Sequence, residues 1–411
     1  MNLKKYTLII LFSSFGLATV AQDSTKEKSL EIYGFAMTDM GFNFDQINPA
    51  WFDALRVTKL PVSPNQYGSN GNVYFSVRQT RFGVKGYMPT PLGEMTAVFD
   101  FDLFGVGVDE GQTTMRVRNA YGEVGRVLVG QANTPFMDGD VFPNTLEYWG
   151  PTGMVFFRNV QVRYAAMQGA NELFIALERP GASADAGPYQ GRVELDSVSS
   201  HFPLPDLSAH FKKSGDWGHV QLAGMLRYIG WKDQNISGVH DISGNVIGWG
   251  LHLSAVINLS QMDVFRGSFV YGAGVENYMN DAPVDVGVVA NPGNARTPIK
   301  GKALPVSGIV AFLDHNWNSK LSTAIGYSSC HISNTDLAKG TAYADGQYAI
   351  VNLLTTPFKN FMAGAEFEYG TRANFDGSYK AHDLKLQISF KYNFSQIFYR
   401  DKKVANTFQK F

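Results

Sequence analysis

Six arginines form three close pairs in the first half of the sequence, which suggests chemistry directed at anions. They are Arg78 and Arg81, Arg116 and Arg118, and Arg158 and Arg163. A guanidinium group stays positively charged and pairs with a carboxylate or phosphate through two parallel hydrogen bonds. If the three pairs lie side by side, they would attract small anions. The alternative is that Asp100, Asp102, Glu123 or an acidic loop neutralises them, so that the ion pairs only maintain the shape of the protein.

The segment 133–154 supplies charges of the opposite sign. Its acids are Asp138, Asp140 and Glu147, and its aromatic residues are Phe136, Phe142, Tyr148 and Trp149. If this segment folds into a water-filled lumen, acids facing a basic wall would create a transverse electric field and limit the size of the solutes that pass. The alternatives are a loop that covers the mouth of the lumen or one that contacts another subunit.

Strict alternation of apolar and polar residues identifies the elements that would position these side chains. In 384–394, six apolar residues alternate with five polar ones, as in a strand with one apolar and one wet face. The same alternation recurs in 96–103, 173–178, 219–228 and 361–369. In each stretch one face is free of charge. This is expected of strands that face lipid, where an Arg or Lys at mid-membrane costs about 2–4 kcal/mol.

The connections between these strands alternate between short and long. Short polar turns lie at 89–93, 168–171, 214–218, 317–320 and 358–360, and long irregular segments at 45–70, 133–154, 180–205, 231–245, 280–302 and 334–345. Outer-membrane barrels have this pattern, with tight periplasmic turns and longer extracellular loops. The sequence therefore predicts an all-β protein: a transmembrane antiparallel β-barrel of about sixteen strands in 30–394, porin-like, with its third loop folded inward. A barrel of this size leaves an aqueous channel.

The predicted second strand, in 72–87, changes its phase part-way. Val73, Phe75 and Val77 share one parity, whereas Phe82 and Val84 take the other. A one-residue slip of this kind is what a β-bulge produces. A bulge near 79–81 would let both Arg78 and Arg81 point into the lumen.

The two ends of the chain predict export. Lys4 and Lys5 precede an apolar stretch and the small residues before Ala21, which is typical of a signal peptide, here residues 1–21. We expect 22–29 to be a short periplasmic segment and 395–411 a C-terminal tail. Beyond the signal, no run of 18 or more apolar residues could form a transmembrane helix. The predicted location is the cell outer membrane.

The composition excludes several other classes of function. Only 17% of the residues are charged and the net charge is −1, whereas a nucleic-acid partner would favour a strongly basic face. The lone cysteine, Cys330, cannot form an internal disulfide. None of the eight histidines stands at metal-ligand spacing from another His, Cys or acid. We therefore predict no enzymatic activity, no catalytic or metal site and no cofactor.

Two long stretches resemble a known family. The runs 78–105 (RQTRFGVKGYMPTPLGEMTAVFDFDLFG) and 116–165 (beginning RVRNAYGEVGRVLVGQANTPFMDGD) resemble the DcaP-like outer-membrane porins. The resemblance implies a homotrimer of sixteen-stranded barrels, an inward third loop and uptake of small anions such as dicarboxylates. It assigns the constriction to the six arginines, with Asp138 and Glu147 on the loop. The chain departs from the family where members carry a periplasmic coiled-coil extension, because here only residues 22–28 precede the first strand.

The sequence thus predicts a porin for passive uptake of small hydrophilic solutes, with a preference for anions. The expected partners are membrane lipid and lipopolysaccharide, small anionic solutes and two further copies of the chain. Two alternatives stay open: a phosphate-selective type of porin, and a plugged structural or binding barrel without channel activity. A plugged barrel should point large apolar residues inward, whereas Ser, Thr, Gly, Gln and charged residues dominate the predicted lumenal parity.

Overall fold

The computed structural model describes residues 28–399, apart from positions 190, 192, 194, 196, 197 and 235–238. The predicted signal peptide (1–21), most of the predicted periplasmic segment and the tail from residue 400 onward lie outside the described residues. They stay predictions.

Sixteen antiparallel strands form a closed barrel, as predicted. The first eight are β1 Ser29–Asn43, β2 Asn72–Ser76 with Arg81–Thr90, β3 Gly93–Phe104, β4 Thr113–Val124, β5 Val127–Asn133, β6 Arg158–Met167, β7 Asn171–Glu178 and β8 Val198–Ser200 with Asp206–Gly215. The others are β9 Gly218–Asp233, β10 Gly244–Asn258, β11 Asp263–Ala273, β12 Pro305–Asn318, β13 Leu321–Ile332, β14 Tyr343–Thr355, β15 Phe361–Asn374 and β16 Lys380–Tyr399. The barrel closes where β1 pairs with β16, from Ser29 opposite Tyr399 to Asn43 opposite Lys385. β16 therefore includes the first five residues of the predicted tail.

The connections follow the predicted alternation. At one end of the barrel the strands are joined by turns of two to five residues, and at the other by loops of five to 31 residues. The loops are L1 (44–71), L2 (105–112), L3 (134–157), L4 (179–197), L5 (234–243), L6 (274–304), L7 (333–342) and L8 (375–379). A small sheet of Ala184–Asp185, Val286–Ala290 and Ile299–Ala303 joins L4 to L6.

The helical structure of the described residues is limited to single 3-10 turns. They are Pro49–Trp51, Val57–Lys59, Gly107–Asp109, Gly139–Val141, Gly187–Tyr189 and Glu276–Tyr278. In this part of the chain no helix has the length and apolar character needed to span a membrane.

The predicted slip in β2 is present. Between the pairs Phe35–Arg81 and Asp39–Ser76, three residues of β1 lie opposite four residues of β2, so β2 carries one extra residue. Val77 is exposed on the outer face and so is Phe82 beyond the slip, while Arg78 is buried inside the barrel. The bulge thus directs two arginines inward from one strand.

The inner surface of the barrel has two different halves, which corrects the expectation that polar residues dominate the whole lumenal face. On β11–β14 the inward residues are mostly apolar and buried, among them Val270, Val306, Val310, Phe312, Tyr348 and Ile350. Apolar residues of the inward loops cover them, among them Leu55 and Leu60 of L1, Phe136 and Met154 of L3, and Met279 of L6. Each such side chain stabilises the fold by about 1.5–3 kcal/mol when fully buried. The inner face of these strands therefore packs against protein, because three loops fill this half of the lumen, whereas their outer residues, such as Ile309 and Tyr327, are exposed.

L3 enters the barrel as predicted and contacts β15 on the inner surface. The backbone N–H groups of Leu146 and Glu147 donate to the Glu366 carboxylate of β15, at 3.0 and 2.8 Å. Gln79 of β2 donates to the Leu146 carbonyl from the other side, at 2.9 Å. L3 is therefore held by side chains of β15 and β2.

Candidate functional site

A cavity of about 740 Å³ occupies the half of the lumen that the loops leave open. Residues of β1, β2, β4–β6 and β16 line one side of it, and residues of L1, L3 and L6 line the other. Its cationic lining residues are Arg56, Arg81, Arg116, Arg118, Arg158 and Lys391, and its acidic ones are Glu147 and Glu276. Four of the six predicted arginines thus line one cavity together, whereas Arg78 and Arg163 do not.

The strand register explains why these arginines converge. Arg81 of β2 lies opposite Asp102 of β3, and Asp102 lies opposite Arg116 of β4. Neighbouring strands are about 4.8 Å apart, so the three side chains form one row across the wall. Arg118 follows two residues along β4, and Arg158 begins β6. Arg81, Arg116 and Arg158 all lie close enough to Arg118 to repel its charge.

One carboxylate serves two of the arginines. Asp102 accepts from Arg118 Nη1 at 2.6 Å and from Arg116 Nη2 at 3.0 Å. The Tyr148 hydroxyl of L3 accepts from Arg118 at 3.0 Å and also contacts Arg116 and Asp102. The Tyr148 ring stacks on Phe104, with centroids 3.9 Å apart. This group of two arginines and one acid therefore keeps a net positive charge.

Three further cations of the cavity have no carboxylate partner among residues 28–399 as described. Arg81 and Lys391 lie over the ring of Phe35, at 5.4 and 4.1 Å from its centroid. Arg158 lies over Phe156, at 5.0 Å. An aromatic ring attracts a cation without neutralising it. These three charges are therefore available to an anion in the cavity.

The two arginines outside the cavity are occupied in ion pairs. Arg78 is 1% exposed, and its Nη1 donates to Asp53 of L1 at 2.6 Å. It therefore holds L1 against the wall, so here the neutralising acid comes from a loop. Arg163 lies 3.9 Å from Glu123. At these two positions the arginines are therefore neutralised by acids, which fits the alternative that the ion pairs maintain the shape of the protein.

Asp138 and Asp140 of L3 anchor the loop outside the cavity, whereas Glu147 lines the cavity and is bound by backbone N–H groups. Asp138 accepts from Ser254 at 2.7 Å and contacts His219 at 2.8 Å, on the wall formed by β9 and β10. Asp140 pairs with Lys212 of β8 at 2.8 Å. Glu147 accepts the Leu55 N–H of L1 at 3.0 Å and the N–H of Gly150.

The surroundings of these acids change their affinity for protons. Burial raises the pKa of Glu147 to about 7, although Lys385 and two backbone N–H groups oppose the change. For Asp138, burial is outweighed by the hydrogen bond from His219, the charge of Lys212 and the hydrogen bond from Ser254, and its pKa is lowered. Asp138 is therefore an ionised anchor over the neutral range, and Glu147 is close to its titration point.

A family model described as DcaP outer membrane protein matches residues 17–394. The chain belongs to this family. The resemblance noted in the sequence is confirmed, and family and fold together identify an outer-membrane porin. No curated protein sequence matches the chain.

Solved structures share the DcaP-family barrel. The outer membrane channel DcaP of Acinetobacter baumannii has a TM-score of 0.71 at 18% identity, over 90% of this chain and 99% of that chain. The anion-selective porin from Comamonas acidovorans has a TM-score of 0.57 at 8% identity, over 90% and 100%. OmpT of Vibrio cholerae, in its trimer form, has a TM-score of 0.53 at 12% identity, over 90% and 100%. At these identities the likeness shows the fold.

Sequence reasoning missed two cations of the cavity in this member of the DcaP family. Lys391 stands on the wet face of the stretch 384–394, so its parity was an available signal. Arg56 had none, because it lies in L1. It sits between the rings of Trp51 and Trp149, at 4.5 and 4.4 Å, and pairs with Asp281 of L6 at 2.9 Å.

One group in the described residues has the composition of a metal site. Ligand atoms of Asp138, Asp140 and His219 lie within 4.8 Å of one another. Lys212 lies 3.7 Å from Asp138 and 2.8 Å from Asp140, so an ammonium group already compensates these carboxylates. The DcaP-family barrel uses this cluster to hold L3.

Proposed function

We propose that this porin conducts small anions in preference to cations, through the cavity lined by arginines. The observation that carries the proposal is that Arg81, Arg158 and Lys391 face the cavity without a carboxylate partner among the described residues. A free cation in a narrow lumen lowers the energy of an anion and raises that of a cation. Arg116 and Arg118 add a further net charge, since they share one carboxylate.

The solutes proposed are small carboxylates, including dicarboxylates, held by paired guanidinium groups. A phosphate-selective porin is the second candidate, since the same donors bind phosphate. The plugged barrel is the third, and the filled half of the lumen along β11–β14 gives it support. Against it stands the open cavity beside the arginines.

The proposal includes the assembly and location of the protein. We propose that the chain is exported through a signal peptide ending at Ala21, inserts with L1–L8 on the extracellular side and meets lipid and lipopolysaccharide with its outer face. We also propose a homotrimer, which the trimer form of the V. cholerae neighbour supports by analogy of fold. A monomeric mass in mild detergent would contradict the trimer.

Planar-bilayer recording of the purified protein tests the proposal. In a potassium chloride gradient at low salt, where screening is weakest, the reversal potential should indicate anion preference. Succinate and inorganic phosphate are then added at equal ionic strength, and the better blocker distinguishes the carboxylate porin from the phosphate-selective one. A correctly folded barrel that conducts no current would be the plugged alternative, and a cation preference would refute the role of the arginines.

A further inference from the structure

Glu276 is a buried carboxyl group that the proposed anion pathway does not explain. It begins the 3-10 turn Glu276–Tyr278 at the start of L6 and lines the cavity, while its side chain is 0% exposed. Neither carboxyl oxygen has a hydrogen-bond partner. The backbone N–H groups of Val275 and Glu276 lie near the carboxyl group but do not form a hydrogen bond with either of its oxygens. An unsatisfied buried polar group is rare in native proteins and calls for a partner.

The neighbouring charges do not supply that partner. Arg227 is the cation that acts on Glu276, but it is engaged by Asp206 at 3.0 Å and by Asp285 at 2.7 Å. Burial, followed by the charge of Asp285, raises the pKa of Glu276 well above its usual range. The carboxyl group therefore lacks a countercharge, and a cationic group placed beside it would stabilise its ionised form.

The other polar side chains that L6 presents to the cavity each offer a carbonyl oxygen as a hydrogen-bond acceptor. The Asn280 amide nitrogen donates to the carbonyls of Trp149 and Pro151, at 2.7 and 3.1 Å, which leaves its oxygen free. The half-buried Asn277 side chain makes no hydrogen bond among the described residues. The cavity thus has two poles: guanidinium donors on the strand side and oxygen acceptors on L6.

We propose that L6 forms a second subsite, in which Asn277, Asn280 and the Glu276 carboxyl group, turned from its enclosed position into the cavity, bind the ammonium group of a zwitterionic solute whose carboxylate lies among the arginines. The solute class is an ω-amino carboxylate or a related amino acid. This inference rests on the proposed anion site and adds its opposite pole. A second carboxylate at L6 would meet acceptors and a buried acid, so a dicarboxylate of equal length fits less well.

Three related compounds isolate the ammonium group. 4-Aminobutyrate and butyrate differ by that group alone, and glutarate carries a carboxylate in its place. For each compound, the concentration that half-blocks the ion current of the reconstituted wild-type protein is measured in planar bilayers. A charge-assisted hydrogen bond should lower the half-blocking concentration of 4-aminobutyrate about tenfold relative to butyrate. Equal values for the two, or tighter block by glutarate, would overturn the subsite.

Glu276→Gln then removes the charge while keeping the shape of the side chain. The advantage of 4-aminobutyrate should disappear, and block by butyrate should stay as in the wild type. The matched control is Glu172→Gln, at the turn end of β7 and outside the cavity, which should keep the full difference. If Glu276→Gln does not fold, Asn277→Ala gives a second reading, with an expected loss of about threefold. An advantage that survives both substitutions contradicts the inference.

The outcome also separates this inference from the anion proposal. If butyrate and glutarate block the wild-type channel and 4-aminobutyrate has no advantage, the arginine site stands and the L6 subsite fails. If none of the three compounds blocks the channel, the anion site itself fails.

Discussion

Removing two of the free cations should reduce the anion preference by an amount that follows from the size of the cavity. A sphere of 740 Å³ has a radius of about 6 Å, and one unit charge at that distance changes the energy of a monovalent ion by about 0.7 kcal/mol in water. Salt at about 0.1 M lowers this to about 0.4 kcal/mol, because the Debye length is then about 10 Å. Since anion and cation shift in opposite directions, each charge changes the anion-to-cation ratio about fourfold, and two charges about 15-fold.

The variant is Arg81→Gln combined with Arg158→Gln, which keeps polar side chains in the wall. The assay is the reversal potential in a potassium chloride gradient, from which the anion-to-cation permeability ratio is calculated. The control is Arg126→Gln combined with Arg296→Gln, which removes the same charge from two exposed positions outside the cavity. If the variant with both Arg81→Gln and Arg158→Gln keeps the wild-type permeability ratio, these two charges do not set the anion preference. Raising the salt to about 1 M should weaken the effect, since the Debye length falls to about 3 Å.

Three more predictions concern the anchors of the loops. Arg78→Met should destabilise the barrel by about 3–5 kcal/mol, measured by denaturant unfolding, because it leaves the Asp53 carboxylate buried without its cation. Asp138→Asn should cost about 1.5–3 kcal/mol and increase current noise without raising the anion preference, because the lost charge-assisted hydrogen bonds hold L3 to the far wall. Glu147 has a raised pKa, so the folded state binds its proton more tightly than the unfolded chain. Stability should therefore be highest below about pH 4.5 and fall as the pH rises towards 7, and Glu147→Gln should flatten this slope in thermal unfolding.

Each anchor prediction has its own control. Arg126→Met, at an exposed turn, should leave the unfolding midpoint unchanged, and a reversal potential altered in Arg78→Met would mean that its charge reaches the pore. For Asp138→Asn, a stronger anion preference would show that the acid faces the permeating ion. Glu172→Gln should keep the wild-type pH slope. If Glu147→Gln keeps the same slope as well, another group causes it.

The barrel could be predicted from the sequence because the inward or outward direction of each strand residue depends on its immediate neighbours in the chain. Alternation with period two assigns each strand residue to the inside or the outside, and lipid excludes charge from one parity. The alternation of apolar and polar residues also revealed the phase change in β2. This bulge directs both Arg78 and Arg81 towards the lumen. The alternation also placed Lys391 on the wet face, but parity alone could not tell which wet residue would lack a partner.

The loops could not be predicted, because their paths depend on contacts between distant residues. Arg56 is held at the cavity by its ion pair with Asp281, which is 225 positions away in the sequence. Asp138 turns towards Ser254 because a buried carboxylate needs donors, and periodicity does not reveal which strand supplies them. The apolar inner faces of β11–β14 were not predicted, because apolar residues are stable on a lumenal face only where loops cover them, and the loop paths were unknown.

The filled half of the lumen has a consequence for the biogenesis of the protein. Until L1, L3 and L6 reach their places, Phe312, Tyr348 and their neighbours form a broad apolar surface inside a barrel that is open to water. Lipid covers the outer face of a newly inserted barrel, but nothing from the membrane can cover this inner one. We therefore expect the placement of the loops to be a step distinct from the insertion of the strands, driven by burial of apolar surface as in the folding of a soluble protein. Substitutions at the apolar loop contacts should accordingly leave insertion of the strands intact and lower the stability of the inserted barrel.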